Sequence, residues 1–149
     1  MNDDRRIVFL LNQAQHQVNL YIDKILRQAA DITGAQAAAL FYLNKHNGCV
    51  QKQLAQGLKL DNSAVTGMVD RLQRKELVEK HRCKLDGRAF TLHLTTHGKN
   101  SIDTVRPLIK SHNKLLADKF GDDTIENFCQ VLQFLVDYTA DELKPETTP

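Results

Sequence analysis

What this sequence lacks narrows the field first. No stretch approaches the roughly 18 consecutive apolar residues of a membrane-spanning helix, so no membrane segment is expected. Cysteine is scarce. Cys49, Cys83 and Cys129 form no CxxC pair and no zinc-ligand spacing, and the six histidines are equally dispersed. No metal site and no cofactor are expected. Also missing are a Ser/His/Asp arrangement, a glycine-rich phosphate loop and paired carboxylates in a credible pocket, so no catalytic residue is assigned and an enzyme is not expected. Tryptophan is absent altogether, and the net charge is only +2.

What is present fits one globular domain: 149 residues, 42% hydrophobic and 26% charged. The opening MNDDRRIVFLL is acid-led and has no small-residue cleavage site, which predicts a cytoplasmic protein. The small net charge hides an uneven distribution. Residues 50–100 carry ten Lys/Arg against five acids, whereas residues 101–149 carry five bases against nine acids. A basic middle in a near-neutral chain points to a polyanion-binding surface.

The two ends read as helices. Over 7–29, Ile7, Leu11, Ala14, Val18, Tyr21, Ile25 and Ala29 recur at steps of four and three, close to the repeat of helices that wind around partners. Phe9, Leu10, Ile22 and Leu26 widen the stripe beyond the need of one small core. After residue 98 a second helix carries Ile102, Val105, Ile109, His112 and Leu116, with Pro107 expected to kink it or break its first turn. Gly121 stops that helix, and Asp123 with Glu126 has the spacing of a capping box for the last one, which runs through Phe128, Leu132, Leu135 and Val136 to Leu143. The KPETTP tail is disordered by composition. Wide apolar stripes on terminal helices predict a two-fold dimer.

Between them, Thr33 can cap a helix over 35–45, whose Ala38, Leu40, Phe41 and Leu43 are available for packing. Asn47-Gly48 ends it, and Cys49-Val50 makes a short extended link. A short helix over 51–57 turns inward with Leu54, Ala55 and Leu58. A turn at 59–61 follows, in which Asp61 or Asn62 caps the next helix. That helix places Val65, Met68, Val69 and Leu72 on one side and Asn62, Ser63, Thr66, Gly67, Asp70, Arg71 and Arg74 on the other. Short polar side chains and then basic ones suit entry into a DNA major groove, with Gly67 letting a phosphate or base approach. Two strand-like runs, 77–85 and 88–94, meet at Asp86-Gly87, a tight-hairpin signal if both central residues take positive φ. Lys80, Arg82, Lys84 and Arg88 make this hairpin cationic. An arginine at its tip suits the narrow minor groove, with Asp86 placed to orient the Arg88 guanidinium.

The run LAQGLKLDNSAVTGMVDRLQRKELVEKHRCKLDGRAFTLHLTTHGK resembles the MarR family of winged helix-turn-helix transcriptional regulators. The matching pieces are Leu54-Ala55, the Val65, Val69 and Leu72 frame with Asp70-Arg71, Leu77-Val78-Glu79, Asp86-Gly87-Arg88, and Leu94-Thr95 with Gly98. The resemblance implies a mainly α fold with a small β-hairpin wing, in which N- and C-terminal dimerisation helices flank the winged helix-turn-helix domain. The implied layout is an N-terminal dimerisation helix at 1–32, a DNA-binding region at 33–98, C-terminal dimerisation helices at 99–144 and a disordered tail at 145–149. Within the DNA-binding region the recognition helix spans about 61–75 and the wing about 77–95. Carried over by position, Asn62, Ser63, Thr66 and Arg71 read bases and phosphates, Arg88 with Asp86 enters the minor groove, and Gln51 and Lys52 touch the backbone. Arg74 and Lys84 extend the basic surface on either side.

The implied function is a homodimeric regulator of double-stranded DNA, a repressor released by a ligand or signal, with a small aromatic effector as a partner whose site the sequence does not single out. The alternative is a winged-helix protein-interaction adaptor that does not bind DNA. Three departures from the family stand out. Glu76 lies where glycine usually follows the recognition helix. Lys59 replaces a common glycine in the helix-pair turn, with Gly57 nearby as a substitute. The first helix has no cysteine, which argues against the peroxide-sensing branch, and leaves Cys83, between Arg82 and Lys84, as the thiol best placed to sense an oxidant.

Overall fold

A computed structural model describes residues 6–138. The expected tail at 145–149 and the end of the last helix, with Leu143, lie outside the described residues. The order of elements is α1 (Ile7–Ala30), α2 (Gly34–Lys45), α3 (Gln51–Leu58), α4 (Asn62–Arg74), β1 (Val78–Arg82), β2 (Phe90–Leu94), α5 (Thr96–Phe120) and α6 (Asp122–Asp137). The chain forms two compact units, one ending at Ile109 and the other beginning at Lys110.

In the first unit, each helix starts or stops for a local reason. Thr33 caps α2 as expected: its Oγ1 accepts from the Gln36 amide at 3.1 Å while Gln36 Oε1 accepts from the Thr33 amide at 3.1 Å. Asp23 of α1 accepts from the Gly34 amide at 2.7 Å, fixing the turn between the two helices. Because α2 packs against α1, α3 and β2, it is buried on more than one side. Ala37 and Ala39 are buried there along with Leu40 and Leu43, whereas Ala38, expected to pack, is exposed.

The core is carried by Leu26, Leu40, Leu54, Val65, Val69, Leu72, Leu92 and Val105, all 0% exposed. Helix α4 buries Val65, Met68, Val69 and Leu72, the four residues its period marks. At about 1.5–3 kcal/mol for each buried aliphatic side chain, this packing far exceeds the ~1 kcal/mol that Gly67 costs the helix. Packing holds α4.

The sheet has two antiparallel strands, with Val78 opposite Leu94, Lys80 opposite Leu92 and Arg82 opposite Phe90. The extended link before α3 joins it at the edge: Gly48 N donates to Leu92 O at 2.8 Å, Leu92 N donates to Cys49 O at 2.8 Å, and Val50 bridges Thr91. Helix α5 begins at Thr96, whose preceding residue Thr95 accepts from the Gly98 amide at 3.0 Å. It is continuous through Pro107, so of the expected kink or broken turn the break does not occur. The ring leaves one carbonyl, four residues back at Asp103, without its helical donor, and Asp103 is exposed to water.

The second unit holds the end of α5 and all of α6. Gly121, with φ 87°, precedes α6 directly, so Asp122 and Asp123 both lie in its first turn. The capping box expected from Asp123 and Glu126 is therefore not formed. These acids instead sit where the helix dipole favours negative charge. No residue of α6 is buried, and Phe128, Val131, Phe134 and Val136 are each more than half exposed. In the first unit the N-terminal half of α1 is similarly bare, with Ile7, Val8, Phe9 and Leu10 all over half exposed.

Candidate nucleic-acid interface

Helices α3 and α4 are joined by a tight turn at Lys59 and Leu60. Lys59 N donates to Gln56 O at 3.2 Å and Leu60 N to Ala55 O at 3.0 Å, the double closure in which the residue after the helix takes a left-handed conformation. That residue is Lys59, with φ 54°. The same device ends α4: Glu76 N donates to Gln73 O at 2.9 Å, Leu77 N to Leu72 O at 3.0 Å, and Glu76 has φ 57°. Both glycine-lacking turns are thus closed by non-glycine residues in the glycine conformation. Gly57 is not the substitute anticipated for Lys59. It lies within α3, where an added Cβ would come 2.0 Å from the Tyr42 ring, so its role is to let α2 and α3 approach.

With one side of α4 buried, the other is presented outward. Asn62, Ser63, Thr66, Arg71 and Arg74 are all exposed. Asp61 precedes the helix in extended conformation but makes no side-chain cap bond, and Asn62 is already helical. Thr66 is held in place. Its hydroxyl donates to Asn62 O at 2.8 Å and accepts from Gln51 Nε2 at 2.6 Å. Gln51, assigned only a backbone role by resemblance, is thereby brought onto the recognition helix. Arg71 folds back along the helix, its Nη1 3.4 Å from where a Gly67 Cβ would stand. Gly67 therefore leaves room for the arginine as well as for a ligand.

The hairpin differs from its expected form. The strands stop at Arg82 and resume at Phe90, so residues 83–89 form the loop. Neither Asp86 nor Gly87 has a positive φ, and a Cβ on Gly87 would meet nothing within 4 Å. The turn is built by Asp86 instead: its carbonyl accepts from Ala89 N at 3.0 Å, and its Oδ1 accepts from Arg88 N at 3.0 Å. Asp86 thus orients the backbone of Arg88. Cys83 N donates to Ala89 O at 2.8 Å and closes the loop base.

The hairpin cations also divide. Lys80 Nζ lies 3.9 Å from Asp70 Oδ1 on α4, tying β1 to the recognition helix. Arg82 sits over the Phe90 ring, 5.8 Å from its centroid. Lys84, Asp86 and Arg88 are exposed on the loop, and Lys52 is exposed at the start of α3. Phe90, the first residue of β2, is 44% exposed, whereas Leu92 and Leu94 further along the strand are buried. One residue escaped the sequence reading: Leu85, 99% exposed at the loop tip. Its only signal is an apolar residue between two charged neighbours in a predicted turn.

Against known proteins, the model of the MarR family matches residues 30–89. The chain is 24% identical over 145 residues to the HTH-type transcriptional regulator MgrA of Staphylococcus aureus, covering 96% of this chain and 95% of that one. It is 22% identical over 129 residues to the HTH-type transcriptional regulator BilQ of Clostridioides difficile, covering 87% and 86%. Among solved structures, the S. aureus MepR–DNA complex superposes with a TM-score of 0.80 at 24% identity, over 87% of this chain and 95% of that one. The PcaV transcriptional regulator of Streptomyces coelicolor, solved with its natural ligand, gives 0.76 at 24% identity, over 91% and 93%.

Proposed function

We propose that this chain, whose residues 30–89 match the model of the MarR family, is a transcriptional regulator of that family that binds double-stranded DNA as a homodimer on a pseudo-palindromic operator. The observation that carries this reading is the outward side of α4. Its buried residues all lie opposite, and Asn62, Ser63, Thr66, Arg71 and Arg74 are left exposed and basic toward the end. In this reading α4 enters the major groove, Ser63 and Thr66 meet base edges, Arg71 and Arg74 meet phosphates, and the loop carries Lys84 and Arg88 to the adjacent minor groove. Gln51 and Lys52 meet the backbone at the start of α3. MepR, of the same fold, has been solved on DNA.

Dimerisation is supported by the bare apolar sides of α1 and α6, since a monomer in water gains nothing by exposing Phe9, Leu10, Phe128 and Phe134. We take the output to be repression relieved by a small aromatic effector, in keeping with the ligand-bound state of PcaV. A groove of about 290 Å³ between the start of α3 and the wing offers Phe90 as a ring-stacking wall and Lys52 and Lys80 as cations for an acid group.

Selection of bound sequences from a random duplex pool tests the reading. An inverted repeat with half-sites about one helical turn apart is expected. Failure to enrich any sequence, with a single-chain mass in light scattering at micromolar concentration, would favour the adaptor reading instead.

A further inference from the structure

The Thr66 hydroxyl is committed twice over before any ligand arrives. It has one proton to give and two lone pairs to offer. The Asn62 carbonyl, 2.8 Å away, can only accept, so the proton goes there. The Gln51 amide, 2.6 Å away, therefore donates, and one Nε2 hydrogen occupies a lone pair. A single lone pair is left, on a side chain exposed along the outward side of α4. A threonine bonded only to its own helix could rotate and donate its proton to a base instead. Gln51 opposes that rotation, because its bond reaches Thr66 from the first residue of a different helix, α3.

We propose that Gln51 is a positioning residue that fixes Thr66 as an acceptor-only contact, so that Thr66 selects a base amino group at one position of each half-site. This inference rests on the DNA-binding reading and gives one of its contacts a polarity. In the major groove only adenine N6 and cytosine N4 carry a donor. Guanine and thymine present acceptors there, and a lone pair facing a lone pair is repelled. The second Nε2 hydrogen of Gln51 remains for the DNA backbone.

The test begins with duplexes selected from a random pool by the full native chain and by Thr66→Val. The position whose base preference disappears in the variant is the one that Thr66 reads. Affinity is then measured by fluorescence anisotropy on duplexes altered at that position alone. Purine for adenine, or pyrimidinone for cytosine, removes the amino group; uracil for thymine removes the methyl. Loss of the amino group should weaken native binding about three- to tenfold, the worth of one hydrogen bond, and leave Thr66→Val unaffected. Thr66→Ser keeps the hydroxyl and should keep this dependence. Gln51→Ala should lose most of it, yet retain the native salt dependence because no charge is removed. The proposal would be overturned by native affinity that survives loss of the amino group and falls with the thymine methyl. Full amino-group dependence in Gln51→Ala, or no altered position in Thr66→Val, would overturn it equally. Failure of the native chain to enrich any sequence would instead overturn the DNA-binding reading, and this inference with it.

Discussion

The hydroxyl of Thr95 donates to the carbonyl of Glu76 at 2.6 Å, so the residue that caps α5 also holds the residue that ends the recognition helix. The same oxygen accepts from the Gly98 amide at 3.0 Å. Thr95→Val keeps the shape and removes both bonds. A loss of about 1–2 kcal/mol is expected from chemical denaturation, with Thr95→Ser recovering most of it. A denaturation midpoint equal to the native one would show that the hydroxyl contributes nothing there.

Glu76→Gly should stabilise the fold. Glycine has no Cβ to strain at φ 57°, and the benefit outweighs the extra chain freedom glycine adds to the unfolded state. The expected gain is about 0.5–1 kcal/mol, read as a raised melting temperature; a lowered one would mean that the Glu76 side chain has a role beyond the turn.

Two glycines should respond differently to alanine. At Gly98 the new Cβ would lie 2.2 Å from the Leu77 carbonyl oxygen, a backbone atom that moves only with the whole wing junction. At Gly57 it would lie 2.0 Å from the Tyr42 ring, a side chain. Both substitutions should cost about 1–3 kcal/mol or more. Tyr42→Ala is expected to offset part of the Gly57→Ala loss in a double-mutant cycle and none of the Gly98→Ala loss.

Burial pushes the Cys49 thiol above its ordinary pKa. Since the native state keeps this proton longer than the unfolded chain does, its contribution to stability is full below the unfolded thiol value. It is lost as pH rises through that value, at about 8.5, toward the folded one. Stability should therefore fall above about pH 8.5, and less steeply in Cys49→Ala. Alkylation at neutral pH should follow exposure, Cys129 first, then Cys83, and Cys49 last. Early labelling of Cys49 would contradict its burial.

Arg88→Ala should weaken operator binding about tenfold or more, leaving helix content and mass unchanged. Asp86→Ala removes the acceptor for the Arg88 amide and should weaken binding less, by loosening the loop. Equal affinity of Arg88→Ala and the native chain near 0.15 M salt would remove the wing from the interface.

Much of this fold could be read from the chain because the signals were local. Helix α1 came out within a residue of its expected end, and the four apolar residues of α4 are the four that the structure buries. The Thr33 capping box needs only residues three apart. Where the reading departed from the structure, the deciding contact came from elsewhere. The spacing of apolar residues in α2 offers Ala38 for packing, but α1, α3 and β2 enclose that helix from other directions and Ala38 is exposed. Asp123 had the right spacing for a cap, yet Gly121 starts the helix earlier.

The sequence by itself determined the helical periods, the polar and basic side of α4, the cationic loop after it and the apolar stripes of α1 and α6, because each is a property of residues a few positions apart. Tertiary structure alone decided that Lys59 and Glu76 bend where glycine would, since the hydrogen bonds that force the left-handed turn are tied to how α3, α4 and the wing pack. It also decided that Gly57 serves Tyr42, that Lys80 turns to Asp70, and that Asp86 holds the backbone of Arg88. The physical reason is the same in each case. A closed turn, a close approach or an ion pair is set by atoms that share a place in the fold, and the spacing of letters along the chain carries no record of that distance.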